Sequence, residues 1–242
     1  MSIFLRSQVT PYIILFIERD GSTYLTSLLM SHPHIHAIYE RFAVLKGKGV
    51  TAQEQLAWAD EFYRVPLLSR KSALGFKTKL VDILDLDGFS DLLLRRNIRI
   101  IQMQRRNRVK AVISRINAAR LHELSGNWNL YDESNRLPPM EVDLTQFERY
   151  LKEREAADNE LDDYVNRLDL PKHKIVYEDL LVDKDNTLKE LLDFLKVANL
   201  PLQAKTLKNT KDDLREVVLN LDELQERYVG SNYANMFDEV LV

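Results

Sequence analysis

An α/β fold with a central parallel sheet follows from three observations. Apolar, β-prone runs alternate along the chain with stripes of helical period, the order that builds parallel sheets through right-handed crossovers. The first run, Tyr12 to Ile17, shows no in/out alternation and is rich in Ile, Leu and aromatics, as in a strand buried on both faces. Basic residues also gather where strands hand over to helices, the ends at which such sheets bind ligands.

The first junction is YIILFIERDGSTYLTSLLM, residues 12 to 30. Behind Asp20-Gly21, Leu25, Leu28 and Leu29 fall at helical spacing, so strand, turn and helix follow in order. A helix N-terminus presents unpaired N–H groups and the positive end of its dipole, a combination that holds phosphate or sulfate. Ser22 and Thr23 add hydroxyl donors and Arg19 a fixed charge. Taken alone, the stretch reads equally well as a Ser-capped helix beside a solvated arginine. It is not the GxxxxGK[ST] phosphate loop, since it has one Gly and no Lys after it.

Residues 31 to 71 open with SHPHIHAIYERF, read as a loop, and continue into TAQEQLAWADEFYR, which suits a helix. His32, His34 and His36 alternate and would share one face if extended, but Pro33 interrupts them and no thiolate or carboxylate cluster accompanies them, so no metal site is expected. Glu40 and Arg41 either return to the mouth of the first strand or form a surface ion pair.

A short strand, Ala73 to Lys77, ends in Lys77 and Lys79, which are either site residues or solvated loop lysines. Residues 88 to 96 read as a helix capped by Ser90, with Arg95 and Arg96 at its C-terminal end. The run from Ile98 to Met103 predicts another strand. Beyond Asn107, Val109, Val112, Ile113 and Ile116 repeat at helical spacing. Arg105, Arg106 and Arg108 crowd this second junction, and Lys110, Ser114 and Asn117 form a polar stripe beside the apolar one. Three arginines at one helix start oppose the dipole, which favours an anionic ligand over a solvent-facing patch.

Residues 119 to 170 read as a polar helical insertion, with a loop near Pro138 and Pro139. It would wall or cover a site, with Gly126, Trp128 and Tyr131 facing an acceptor or simply packing. Residues 173 to 196 restore strand, turn and helix, with Leu188, Leu191, Leu192 and Leu195 at core spacing and Asn186 or Thr187 as cap. Near the end, Leu214, Val217, Val218, Leu221 and Leu224 share one helical face behind Lys205, Lys208 and Lys211.

At 242 residues and 45% hydrophobic content, one sizeable core is affordable, so a single domain over 1–242, with insertions at about 41–71 and 119–170, is expected. The net charge of −3 lacks the footprint of a nucleic-acid-binding face. Absence of cysteine excludes disulfides, thiolate metal sites and a Cys nucleophile. The apolar run near the start is too short for a signal-peptide core or a membrane span, so a soluble cytoplasmic protein is expected.

Together these junctions resemble the sulfotransferases that use 3′-phosphoadenosine 5′-phosphosulfate, over most of the chain and in the same order. Arg19-Asp20-Gly21-Ser22-Thr23 is similar to that family's 5′-phosphosulfate loop, and Arg106 to Ser114 resembles its 3′-phosphate element, an Arg and a Ser eight positions apart. Tyr177-Glu178-Asp179-Leu180-Leu181 is similar to the segment behind the adenine site. Residues 208 to 221 resemble the basic C-terminal segment of bacterial and Golgi-type members. Two departures stand out: Lys79 occupies the place of the cytosolic members' catalytic His after Lys77-Thr78, and Tyr24 stands where those members have Trp.

The resemblance implies a three-layer, P-loop-like domain with helical insertions over the site. It implies an enzyme moving a sulfuryl group from that co-substrate to a hydroxyl on a saccharide, lipid or small alcohol; no carboxylate stands at the end of the 98–103 strand to hold magnesium, so no metal is expected. Glu40 would be the base, with Arg19 and Lys77 stabilising charge. Donor contacts would come from Arg19, Asp20, Gly21, Ser22, Thr23, Tyr24, Arg106, Ser114, Tyr177, Lys208 and Lys211. A nucleotide kinase and a non-catalytic nucleotide-binding protein are the alternatives; the first expects magnesium dependence and a loop Lys, the second silence on changing Glu40.

Overall fold

The computed structural model describes residues 9–64, 70–130, 132–204 and 210–241. Its centre is a five-stranded, fully parallel sheet in the order β2-β3-β1-β4-β5. The strands are β1 (Thr10–Leu15), β2 (Ile35–Ile38), β3 (Ala73–Thr78), β4 (Arg99–Gln104) and β5 (Lys172–Val176). β1 lies in the middle, pairing Ile14 with Lys77 on one side and with Ile101 on the other. Its side chains are buried on both faces, as the missing alternation predicts.

The helices are α1 (Ser22–Ser31), α2 (Arg41–Gly47), α3 (Ala52–Phe62), α4 (Leu86–Arg95), α5 (Arg108–Ser125), α6 (Leu144–Arg167), α7 (Tyr177–Val182), α8 (Lys184–Phe194) and α9 (Leu221–Arg227). Tyr12, Ile14 and Phe16 meet Leu25, Leu28 and Leu29 of α1 and Leu188, Leu191 and Leu192 of α8 on one face. Ile13, Leu15 and Ile17 meet Phe42, Ala59, Phe89 and Leu161 from α2, α3, α4 and α6 on the other. A third cluster joins α5, α6 and the C-terminal segment through Val109, Ile113, Phe147 and Leu221. The result is the expected three-layer α/β architecture.

β1 leads through α1 toward β2 and β3, whereas β4, on its other flank, leads away to β5. The carboxyl ends of β1 and β4 therefore flank the switch point of the sheet, where open α/β folds bind ligands.

Several local expectations are corrected. The stretch read as a loop at SHPHIHAIYERF contains β2; four residues are too few for a periodic signal, and this edge strand shows inward Ile35 and Ala37 around exposed His36 only once paired with β3. Helix α4 begins a turn early, capped by Asp85, which accepts from the Gly88 N–H at 2.9 Å; Ser90 instead donates to the Leu86 carbonyl. The helix after β5 is two helices meeting at Asp183, and Asn186 donates its amide to that carboxylate instead of capping. Leu214, Val217, Val218, Leu221 and Leu224 are all buried, but along a short 3-10 turn, Leu214–Glu216, the segment after it and α9. A spacing of three or four residues serves both arrangements.

Candidate active site

The loop between β1 and α1 turns through two left-handed residues, Arg19 at φ 71° and Gly21 at φ 83°. For Gly this conformation is free, and the position admits nothing larger, since a Cβ would lie 2.3 Å from the Tyr177 ring. For Arg19 it carries a strain of about 1–2 kcal/mol. Asp20 turns inward and is fully buried: its carboxylate accepts from the Ile17 N–H at 2.9 Å and from Arg154. Burial pushes this carboxyl up to about 6 against the pull of Arg154. Gly21 then caps α1 without any side-chain acceptor, so the helix start stays open to an anion.

Three side chains converge there. Lys77, at the end of β3 and 1% exposed, donates to the Ser22 hydroxyl at 3.1 Å and the Thr23 hydroxyl at 2.7 Å. Its ammonium lies 3.0 Å from Glu40, just beyond β2, and 4.8 Å from the centre of the Phe16 ring. Desolvation pulls Lys77 below the usual lysine range, and Glu40 partly restores it. Lys79 stands behind Glu40, at 3.9 Å.

Arg19 donates from Nε to the Ser114 hydroxyl at 3.0 Å and from Nη1 to the Trp128 carbonyl at 3.4 Å. Among the described residues it forms no ion pair. Lost solvation, together with the like charge of Arg105, lowers it to about 10, so it stays cationic at neutral pH. Arg105 is buried with Nη1 on the Arg19 carbonyl at 3.3 Å, its guanidinium 5.0 Å from the Tyr177 ring, and its Nε without a hydrogen-bond acceptor.

At the second junction the arginines are already neutralised, contrary to the expectation that their crowding calls for an external anion. Buried Glu178 accepts from the N–H groups of Arg106, at 2.9 Å, and Asn107, at 3.1 Å, and lies 3.9 Å from Arg105. Exposed Arg106 pairs with Asp179 at 2.6 Å. Arg108 pairs with Asp158 and Glu155, and buried Lys110 with buried Asp212 at 2.9 Å. These carboxylates lie 47 to 102 positions away in the chain, beyond the reach of a local reading.

Ser114 thus meets Arg19, while Arg106 meets Asp179. Tyr24 is half-buried beside the α1–α8 core, and Tyr177 packs on Gly21 and Arg105. Exposed Lys211 pairs with Glu216, while Lys205, Lys208 and Tyr131 lie outside the described residues. Trp128 stacks on His122 with 4.1 Å between ring centres. His32 and His34 bond to the carbonyls of Ala198 and Arg70. Sequence reasoning named Arg105 only as one of three crowded arginines and missed Arg154 and Asp158, which no local pattern marks as shapers of this site.

A parallel sheet with an anion-ready, Gly-centred loop at its switch point defines a P-loop-like α/β protein. More particularly, the fold is that of the sulfotransferases: the chain aligns with the crystal structure of a sulfotransferase from Alicyclobacillus acidocaldarius over 94% of this chain and 92% of that one, at TM-score 0.52 and 16% identity. In sequence it is 25% identical over 241 residues to nodulation protein H of Rhizobium meliloti, covering 94% of this chain and 95% of that protein. No protein-family model matches the chain. Among the described residues, no helix is long and apolar enough to cross a membrane.

Proposed function

We propose that this protein transfers a sulfuryl group from 3′-phosphoadenosine 5′-phosphosulfate to a hydroxyl acceptor. The observation that carries this reading is the Arg19–Ser114 hydrogen bond of 3.0 Å. It joins the two sheet-to-helix junctions at a guanidinium that has no carboxylate partner among the described residues. The nucleotide proposed as donor carries anionic groups at both ends, and two joined junctions suit it better than one. The open start of α1, the unmatched charge of Arg19 and the unaccepted Nε of Arg105 fit a phosphate-bearing ligand.

The chemistry asked of these side chains is mainly electrostatic. Sulfuryl transfer resembles phosphoryl transfer, with an in-line transition state that builds charge on equatorial and leaving-group oxygens. Arg19, the α1 N–H groups and the Ser22 and Thr23 hydroxyls would hold the leaving 5′-phosphate. Lys77 already donates to both hydroxyls, so its charge would act on the same oxygens. Glu40, on the far side of Lys77, would accept the acceptor's proton. Arg106 would give up Asp179 for the 3′-phosphate.

Thermal-shift measurements with adenosine 3′,5′-bisphosphate against ATP plus magnesium test this reading. At a hundredfold excess over Kd the bisphosphate should stabilise the fold by about 2.7 kcal/mol. A shift with ATP plus magnesium alone would point to the kinase alternative. A bisphosphate shift without product would point to a binding protein.

A further inference from the structure

We infer that Arg154, in the middle of α6, is a positioning residue that sets the backbone around Arg19; its functional meaning rests on reading that loop as the donor's phosphate cradle. The residue is 5% exposed, and every guanidinium nitrogen is used. Nη1 donates to the Glu18 carbonyl at 3.2 Å, Nη2 to the Asp20 carboxylate, and Nε to Asp158 at 3.0 Å. Glu18 and Asp20 are the two neighbours of Arg19, so one planar group grips the loop on both sides of its left-handed residue.

The other contacts close the grip. Asp20 returns its second oxygen to the Ile17 N–H and its own N–H to the Ile17 carbonyl, while Arg105 takes the Arg19 carbonyl. Asp158 is in turn held by Arg108 Nε at 2.7 Å, at the start of α5. A chain of charges, half-buried Arg108 to buried Asp158, Arg154 and Asp20, therefore runs from one junction to the other through the helical insertion. That insertion is thus a buttress of the loop, a role distinct from walling an acceptor pocket.

Stability does not account for such a chain, because buried ion pairs are often matched or bettered by apolar replacements of similar shape. What a fork of fixed geometry supplies is a defined backbone, which Lys, a point charge with three freely rotating donors, cannot reproduce.

The test uses the full chain carrying Arg154→Lys, which keeps the charge, and Arg154→Met, which strands two carboxylates and is the variant at risk of not folding. Amide hydrogen exchange is followed without nucleotide, and adenosine 3′,5′-bisphosphate affinity by calorimetry. In Arg154→Lys, exchange across residues 17–23 should rise at least tenfold while β4 and β5 stay protected, and affinity should fall at least tenfold. Loop exchange and affinity within twofold of the parent would overturn the assignment. So would even loosening of loop and sheet alike, which marks a purely structural residue. Should the parent itself ignore the bisphosphate, the functional reading fails, and the exchange measurement still decides the role of Arg154.

Discussion

The junction after β1 and the junction after β4 are built alike, strand then turn then helix, yet they handle charge in opposite ways. Behind β1 there is one arginine, set in a left-handed turn, which donates to a hydroxyl and a carbonyl. Behind β4 there are three arginines and a lysine, each facing a carboxylate drawn from α6, α7 or the C-terminal segment. The number of cations at a helix start therefore says little about ligand binding; what matters is whether the fold has already supplied their counter-charges.

Predicted variants probe this contrast. The largest effect is expected from Glu40→Gln beside Lys77: turnover should drop about 10²–10⁴-fold in steady-state assays while nucleotide affinity is kept, since the amide oxygen can still accept from Lys77 but cannot take up a proton. A fully active variant would move the base elsewhere. At the second junction, Lys110→Met should destabilise the fold by about 3–5 kcal/mol in denaturant titrations, because buried Asp212 loses the buried ammonium at 2.9 Å. A loss below 1 kcal/mol would mean that water reaches this pair.

Arg19→Ala should lower turnover about 10²–10³-fold with little change in melting temperature, the reverse of the Lys110 result. Equal turnover would take the loop out of the mechanism. The smallest effect on stability belongs to Arg106→Ala, below about 1 kcal/mol for so exposed a pair. The same change should weaken adenosine 3′,5′-bisphosphate far more than the 5′-monophosphate in calorimetry. Equal weakening would take Arg106 out of the 3′ site and leave its pairing with Asp179 purely structural.

Much of the framework was legible beforehand because it rests on local patterns. β1, β3 and β4 were readable from apolar runs, β5 from the returning strand–turn–helix order, and α1, α5 and α8 from leucine, valine and isoleucine spacing, since burial on a sheet demands those periods. β2 was not, because a four-residue edge strand acquires its pattern only from its neighbour β3. The cap of α4 was misread because Asp85 and Ser90 are both good capping residues, and the apolar stripe does not say which turn comes first.

By itself, the sequence determined the parallel α/β scaffold, the Gly-centred turn behind Arg19 and the place of Lys77 at a strand's carboxyl end, because hydrophobic period and turn residues act over a few positions. The tertiary structure alone decided which cations stay unmatched. Ser114 reaches Arg19 across 95 positions and Arg154 reaches Asp20 across 134. Charge compensation depends on distance in space, and only the folded chain specifies that distance.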